Sequence, residues 1–189
     1  MTVFRWTIAA LWLVFIVYWA VSAVGVKRSV GATAWWRRGA LRLSIVVLAV
    51  LAFSIPEVHR TLRAAQAHTD GVITGAIGTA LVGLGVGLAI FARIHLGRNW
   101  GTPMSRKENP ELITGGPYAV IRHPIYTGIF LAMVGSTIEE SIMWLLPLVL
   151  FTGYFIYSAR REEALMCEQF PEEYPAYKRR TKMFFPFML

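Results

Sequence analysis

The sequence predicts an all-α integral membrane helical bundle of about five transmembrane helices. Three observations carry that expectation. The 189-residue chain is 56% hydrophobic and only 16% charged, with a mean hydropathy of +0.50, whereas soluble domains carry about a quarter charged residues. Its apolar residues are gathered into long uncharged runs, and its cations gather on alternate connections between those runs.

The runs set the elements in order. Trp6 to Val26 and Gly71 to Ala92 contain no charge, and each reaches the about 20 apolar residues that cross a bilayer core. Gly39 to Pro56 is interrupted only by Arg42, near one end, where a long cationic stem can reach the interface. Pro124 to Ile138 and Ser141 to Ala159 form a last pair, separated by Glu139 and Glu140. The first run exceeds the roughly 7–15 residues of a signal-peptide core, so a retained helix is expected despite the cleavage-like Val21-Ser22-Ala23. The fourth run is short, and three arrangements are open to it: little tilt, a start from a buried Pro124, or a hairpin with the fifth that does not fully cross.

The net charge of +8 and the pI near 10.1 invite a nucleic-acid reading, but the placement of the cations excludes it. Five Lys and Arg lie between Lys27 and Arg42, five between Arg93 and Arg122, and six beyond Ala159. Only Arg5, Arg60 and Arg63 fall on the other side of a five-span chain. Such asymmetry is the positive-inside signature: it predicts an outside N-terminus and a cytoplasmic C-terminus. The lone Cys167 has no disulfide partner and no metal-ligand spacing, and no metal is expected.

One membrane domain, 1–189, therefore divides into scaffold helices over 1–92 and a working half over 93–189. Trp35-Trp36 beside Arg37-Arg38 has the composition of an interfacial anchor. Gly71/Gly75 and Gly83/Gly87 have the G-x-x-x-G spacing that lets helices approach closely in lipid. Arg93 to His123 is a long polar connection rich in turn formers, including Asn109-Pro110 and Gly115-Gly116-Pro117, and loops of such length are usually functional. The fifth helix is expected to run past the membrane through Arg160-Arg161-Glu162-Glu163 and to stop at Pro171. Carboxylates at that exit must face water, a cation or a cavity. His59, His68 and His95 read as surface or interface residues.

Two constellations carry chemistry. One is Gly116-Pro117-Tyr118-x-x-x-Arg122-His123-Pro124-x-Tyr126-x-Gly128; the other is Glu162-Glu163 followed by Pro171-Glu172-Glu173-Tyr174-x-x-Tyr177-Lys178. Together with Leu96-Gly97-Arg98-Asn99-Trp100 and Glu111-Leu112-Ile113-Thr114, they run in order from about His95 to Pro186. On these blocks the chain resembles the isoprenylcysteine carboxyl methyltransferase family, within a broader group that includes membrane phospholipid methyltransferases. The resemblance implies a methyltransferase that uses S-adenosylmethionine. Its cofactor pocket would be formed by Pro110, Glu111, Leu112, Ile113, Tyr118, His123, Pro124, Ile125 and Tyr126, with Glu162 on the cofactor's ammonium. Pro110 stands where the best-known eukaryotic members have histidine, and Ser158 where they have an arginine attributed to substrate carboxylate binding.

The residue chemistry agrees with that assignment. A donor bearing a sulfonium, an ammonium and a carboxylate needs both signs of charge and an aromatic wall. Arg122 and Glu163 are the candidate catalytic residues: Arg122 to meet a carboxylate, Glu163 or His123 to take a proton from an amine acceptor. The expected partners are membrane lipids and a lipophilic small-molecule or lipid acceptor: a prenylated thiol or peptide, a lipid amine, or a hydrophobic thiol. Two rival readings stand beside this one. A membrane sterol-type reductase with a nicotinamide cofactor resembles the C-terminal half but generally has more spans. A non-enzymatic transporter would place polar groups near the midplane, whereas these runs keep their charges at their ends.

Overall fold

The computed structural model describes residues 2–24, 29–30, 71–100, 106–107, 111–139 and 145–186. The expected span over 39–56, the Trp35–Arg38 anchor, His59, His68 and Pro110 lie outside the described residues.

Among the described residues there are five α-helices. These are α1 (Thr2–Ser22), α2 (Val72–Leu96), α3 (Pro124–Glu139), α4 (Leu145–Gln169) and α5 (Glu173–Arg180). Short 3-10 turns occupy Gly97–Asn99 and Gly116–Ala119, and Ser29–Val30 pairs antiparallel with Arg106–Lys107 in a two-residue ladder. Two of the helical segments, Val3–Ser22 and Val72–Asn99, are long and apolar enough to cross a membrane, with mean hydropathies of 1.7 and 2.0. α3 has 16 residues, about 24 Å at the α-helical rise, less than a typical hydrocarbon core. α4 runs unbroken through the charged exit to Gln169 and ends before Pro171, as its composition predicts.

α2 and α3 form the tightest seam, and glycine makes it. A Cβ on Gly128 would stand 2.5 Å from the Gly85 carbonyl oxygen, and one on Gly135 would stand 2.5 Å from that of Gly78. Residues seven apart lie two turns apart on nearly one face, so Gly78 and Gly85 meet Gly135 and Gly128 as the antiparallel helices pass. This corrects the expectation from G-x-x-x-G spacing. Gly75 instead faces the Phe4 ring, and Gly87 has nothing within 4 Å of where a Cβ would stand.

α1 closes this pair. Ile8 is wholly buried against Val82, Val86 and Ala132, with Leu11, Trp12 and Phe15 packed around them. Trp12 Nε1 donates to Ser136 Oγ at 3.0 Å, so the one polar group of that ring is satisfied inside the apolar seam. Leu13, Ile16 and Val17 on α1 and Leu146, Val149 and Leu150 on α4 are exposed, a surface suited to lipid.

A second cluster lies at the other end of the bundle and leads to the working half. Ala92, Tyr118 and Ile125 are its centre, with Trp19, Leu96, Trp100, Ile113, Tyr126 and Ile129 against it. Arg93 is buried there: its guanidinium donates to the carbonyls of Gly97 (2.7 Å) and Ser22. Those carbonyls close the ends of α2 and α1, where the intrahelical pattern runs out; that of Gly97 also accepts the Trp100 N–H at 3.3 Å, and the same guanidinium lies 4.7 Å above the Trp100 ring.

Candidate active site

The Arg-His-Pro turn is built by backbone rather than by side chains. Gly116 has φ +58, and a Cβ there would collide with the His95 ring, so only glycine fits the turn that leads into Tyr118. Tyr118 is buried, and its carbonyl accepts the Tyr177 hydroxyl at 2.7 Å. The backbone N–H groups of Arg122 and His123 then donate to the carbonyls of Lys182 (2.8 Å) and Met183 (3.1 Å). Lys182 N–H returns a bond to Val120 O at 3.1 Å, and Thr127 Oγ1 donates to Phe184 O at 2.7 Å. Residues 181–184 thus strap the turn from outside. Pro124 opens α3 at the first helical position, where an N–H would be unused anyway.

α4 presents the two glutamates. Consecutive residues on a helix point about 100° apart, so Glu162 and Glu163 meet different surroundings. Glu163 is 2% exposed. Its Oε1 accepts Arg122 Nε at 2.6 Å, and its Oε2 pairs with Lys178 Nζ at 2.6 Å. Arg122 is tied to the strap as well, with Nη1 donating to the carbonyls of Thr181 (2.5 Å) and Lys178 (3.3 Å). Glu163 lies four residues past the apolar run that ends at Ala159. Burial acts to raise its carboxyl, but donation from His123, Lys178 and Arg122 outweighs that and holds it at about 2.

Glu162 has a different set of partners. Its Oε1 accepts the Tyr126 hydroxyl at 2.6 Å and Ser158 Oγ at 3.3 Å. Its Oε2 lies 3.6 Å from His123 Nδ1, and its side chain is 26% exposed. Among the described residues no lysine or arginine pairs with it. The imidazole of His123 stands between the two carboxylates, its Nε2 being 3.5 Å from Glu163 Oε1. His123 stacks on Tyr126 (centroids 5.5 Å apart, planes at 6°), and Tyr126 stacks on Phe155 (4.7 Å, 8°). The result is an aromatic wall carrying one partly open carboxylate.

The structure therefore gathers Arg122, His123, Pro124, Tyr126, Glu162 and Glu163 at one junction of α3, α4 and the C-terminal strap. Ile125 and Tyr118 lie one layer behind, packed on Ala92. Burial pushes the Tyr118 phenol well above its ordinary range, with the Tyr177 and Glu162 charges adding and Arg93 opposing. Ile113 touches that layer, Leu112 is half-buried, and Glu111 is exposed with its Oε2 accepting Asn99 Nδ2 at 3.2 Å. The strap carbonyls, Phe155 and the structural use of Lys178 were not foreseen. The tail motif contains Lys178, but a backbone carbonyl partner leaves no mark in a sequence. Ser158 sits one turn before Glu162 and bonds both Glu162 and Tyr126. Among the described residues no group of three His, Cys, Asp or Glu side chains could hold a metal.

Residues 73–173, more than half of the chain, match the family model for phospholipid methyltransferases. The chain belongs to that family. The resemblance drawn from the motifs thus falls within this broader group of membrane methyltransferases. The nickel-cobalt-cadmium resistance protein NccN of Alcaligenes xylosoxydans xylosoxydans is 34% identical over 106 residues, 54% of this chain and 49% of that protein. The cobalt-zinc-cadmium resistance protein CzcN of Cupriavidus metallidurans is 34% identical over 120 residues, 62% of this chain and 53% of that protein. The chain spans about half the length of the curated relatives it matches. The fold is also that of the eukaryotic intramembrane Ras methyltransferase ICMT, with a TM-score of 0.55 at 21% identity, over 84% of this chain and 54% of that one.

Proposed function

We propose that this phospholipid methyltransferase family member binds S-adenosylmethionine at the Glu162 carboxylate and transfers its methyl group to a lipophilic acceptor at the membrane. The observation that carries the reading is the contrast between the two glutamates. Glu163 is neutralised by Arg122 and Lys178, whereas Glu162 is partly open, meets no lysine or arginine among the described residues, and stands beside stacked aromatic rings. A carboxylate next to an aromatic wall suits a ligand carrying an ammonium and a sulfonium. The residues present therefore fit this cofactor.

When bound, the cofactor supplies a methyl group already activated on a sulfonium. The protein's own task is then to bind, orient and keep water out. Glu162 holds the ammonium, with its own carboxylate held by Tyr126 and Ser158. The strap and the buried Arg122–Glu163 pair seal the side away from the lipid. A carboxylate or thiolate acceptor needs no base. For an amine, His123 is the better proton acceptor, because Glu163, held at about 2, is a weak base. Ser158 stands where an arginine would meet a substrate carboxylate, and Arg122 is committed to Glu163 through Nε and to the Thr181 and Lys178 carbonyls through Nη1, which disfavours a carboxylate acceptor. The cation distribution supports an outside N-terminus with the site facing the cytoplasm.

Binding of S-adenosylmethionine to the purified, detergent-solubilised chain tests the proposal. Saturable binding, lost in Glu162→Ala, is the expected result. A folded wild-type protein that ignores S-adenosylmethionine and binds a nicotinamide cofactor instead would overturn it in favour of a reductase.

A further inference from the structure

Four consecutive carbonyls of the strap, those of Thr181, Lys182, Met183 and Phe184, accept from Arg122 Nη1, the Arg122 N–H, the His123 N–H and Thr127 Oγ1. Where the strap lies therefore decides where the Arg-His-Pro turn lies. The anchorage of the strap itself is one-sided. α5, which leads into it, buries Tyr174 and Tyr177, and Thr181 follows on the same face with its hydroxyl on Tyr177 O. The open faces carry Arg179, Arg180 and, just past the helix, Lys182, all exposed. Lys178 finds a carboxylate in Glu163, but no carboxylate pairs with Arg179, Arg180 or Lys182 among the described residues. Arg180 lies over the Tyr177 ring at 5.7 Å, which brings no opposite charge. Three like charges within four positions are left to repel one another.

The depth of these groups follows from α3. Lys182 is bonded through its backbone to Val120 and Arg122, just before Pro124 opens that apolar helix. Phe185 then meets the Phe130 ring, centroids 5.8 Å apart. Phe130 stands six residues beyond Pro124, about 9 Å along the helix axis. The chain thus passes in three residues from a cation at the edge of the apolar run to a ring beside its second turn, and that ring is 38% exposed. A headgroup layer is roughly 5–7 Å thick on each side of the hydrocarbon core, a distance that lysine and arginine stems can span.

We propose that the strap is a docking surface for anionic phospholipid: headgroup phosphates on the site's side of the bilayer neutralise Arg179, Arg180 and Lys182, and the Phe185 ring enters the lipid beside Phe130. Cations outside and an aromatic ring at the boundary are the arrangement that a lipid surface selects. An acidic protein would answer the cations but not the ring. Bound lipid holds the strap, and through its four carbonyls the turn that carries Arg122 and His123. The surface is separate from the Glu162 pocket, and the inference stands whether or not S-adenosylmethionine binds there.

The test is amide hydrogen exchange of the full chain in nanodiscs of phosphatidylcholine, with and without phosphatidylglycerol, and with no cofactor added. The Arg122 and His123 amides, which donate to the strap, report its hold. A cation at an anionic surface contributes about fivefold in affinity, so phosphatidylglycerol should slow their exchange in the wild type by about tenfold or more. The combined variant Arg179→Gln, Arg180→Gln, Lys182→Gln should lose that slowing, and the charge-keeping Arg179→Lys, Arg180→Lys should retain it. Arg160→Gln with Arg161→Gln, exposed changes at the exit of α4, should leave most of it in place. Exchange in the wild type that ignores phosphatidylglycerol would overturn the proposal. So would equal protection by inorganic phosphate or by a soluble poly-glutamate peptide in phosphatidylcholine discs, or a slowing that survives in the triple glutamine variant. The wild-type comparison between the two kinds of disc decides alone should that variant not fold.

Discussion

The α2–α3 seam and the junction of α3, α4 and the strap solve the same problem of holding helices together, by opposite means. In the seam, Gly78, Gly85, Gly128 and Gly135 remove side chains so that backbones touch, and the cohesion is dispersion. At the junction, charged side chains are buried and must each be answered: Arg122 by Glu163 and two carbonyls, Glu163 by Arg122 and Lys178. The seam should be sensitive to size and indifferent to pH; the junction should be the reverse.

The largest effect is expected from size in the seam. Gly128→Leu drives a side chain into the backbone of Gly85 and Ala89, which cannot move aside as a flexible side-chain tip can. Folded protein should be absent or its thermal midpoint severely lowered in detergent, whereas Gly87→Ala, in open space, should be close to neutral. Equal tolerance of the two would break the contrast. At the junction, Glu163→Ala leaves Arg122 buried without its carboxylate, and breaking such a pair costs about 3–5 kcal/mol, measurable by denaturant or thermal unfolding.

Acid sharpens the same contrast. The Glu163 carboxyl is held at about 2 against an ordinary 4.5, so the unfolded chain takes up its proton first as pH falls. Its contribution to stability is present above the ordinary value and is lost progressively as pH drops toward 2. Glu163→Gln should flatten that part of the stability profile, and the seam variants should leave its shape alone. The smallest effect is expected at the strap. Thr127→Val removes the donor to Phe184 O, at a cost of about 1 kcal/mol, and should show as faster exchange of the His123 and Arg122 amides.

What was legible beforehand follows the same division. Helices read well, because an uncharged run such as Gly71 to Ala92 has few other fates, and α4 was legible through Gln169 because its charged exit is made of helix formers. The Arg-His-Pro and Glu-Glu blocks were joined in one pocket only by the family resemblance; their residue types alone marked charges with costly burial at the ends of apolar runs. The glycine stripe was legible as packing, but not which glycines pack: that depends on the face α3 offers, and G-x-x-x-G spacing pointed to Gly87, which touches nothing. The strap was hidden for a deeper reason. Thr181, Lys182, Met183 and Phe184 act on the site through their carbonyls, which every residue possesses. The division of labour between Glu162 and Glu163 was likewise set by helix phase against Arg122 and Lys178.

The central claim is that division of labour, and one paired measurement tests it most directly: S-adenosylmethionine affinity and thermal stability, side by side, for Glu162→Gln and Glu163→Gln. The account predicts that Glu162→Gln loses most of the affinity while melting within a few degrees of wild type, and that Glu163→Gln melts much earlier. Full affinity in a stable Glu162→Gln protein, or a stability loss confined to that variant, would contradict it.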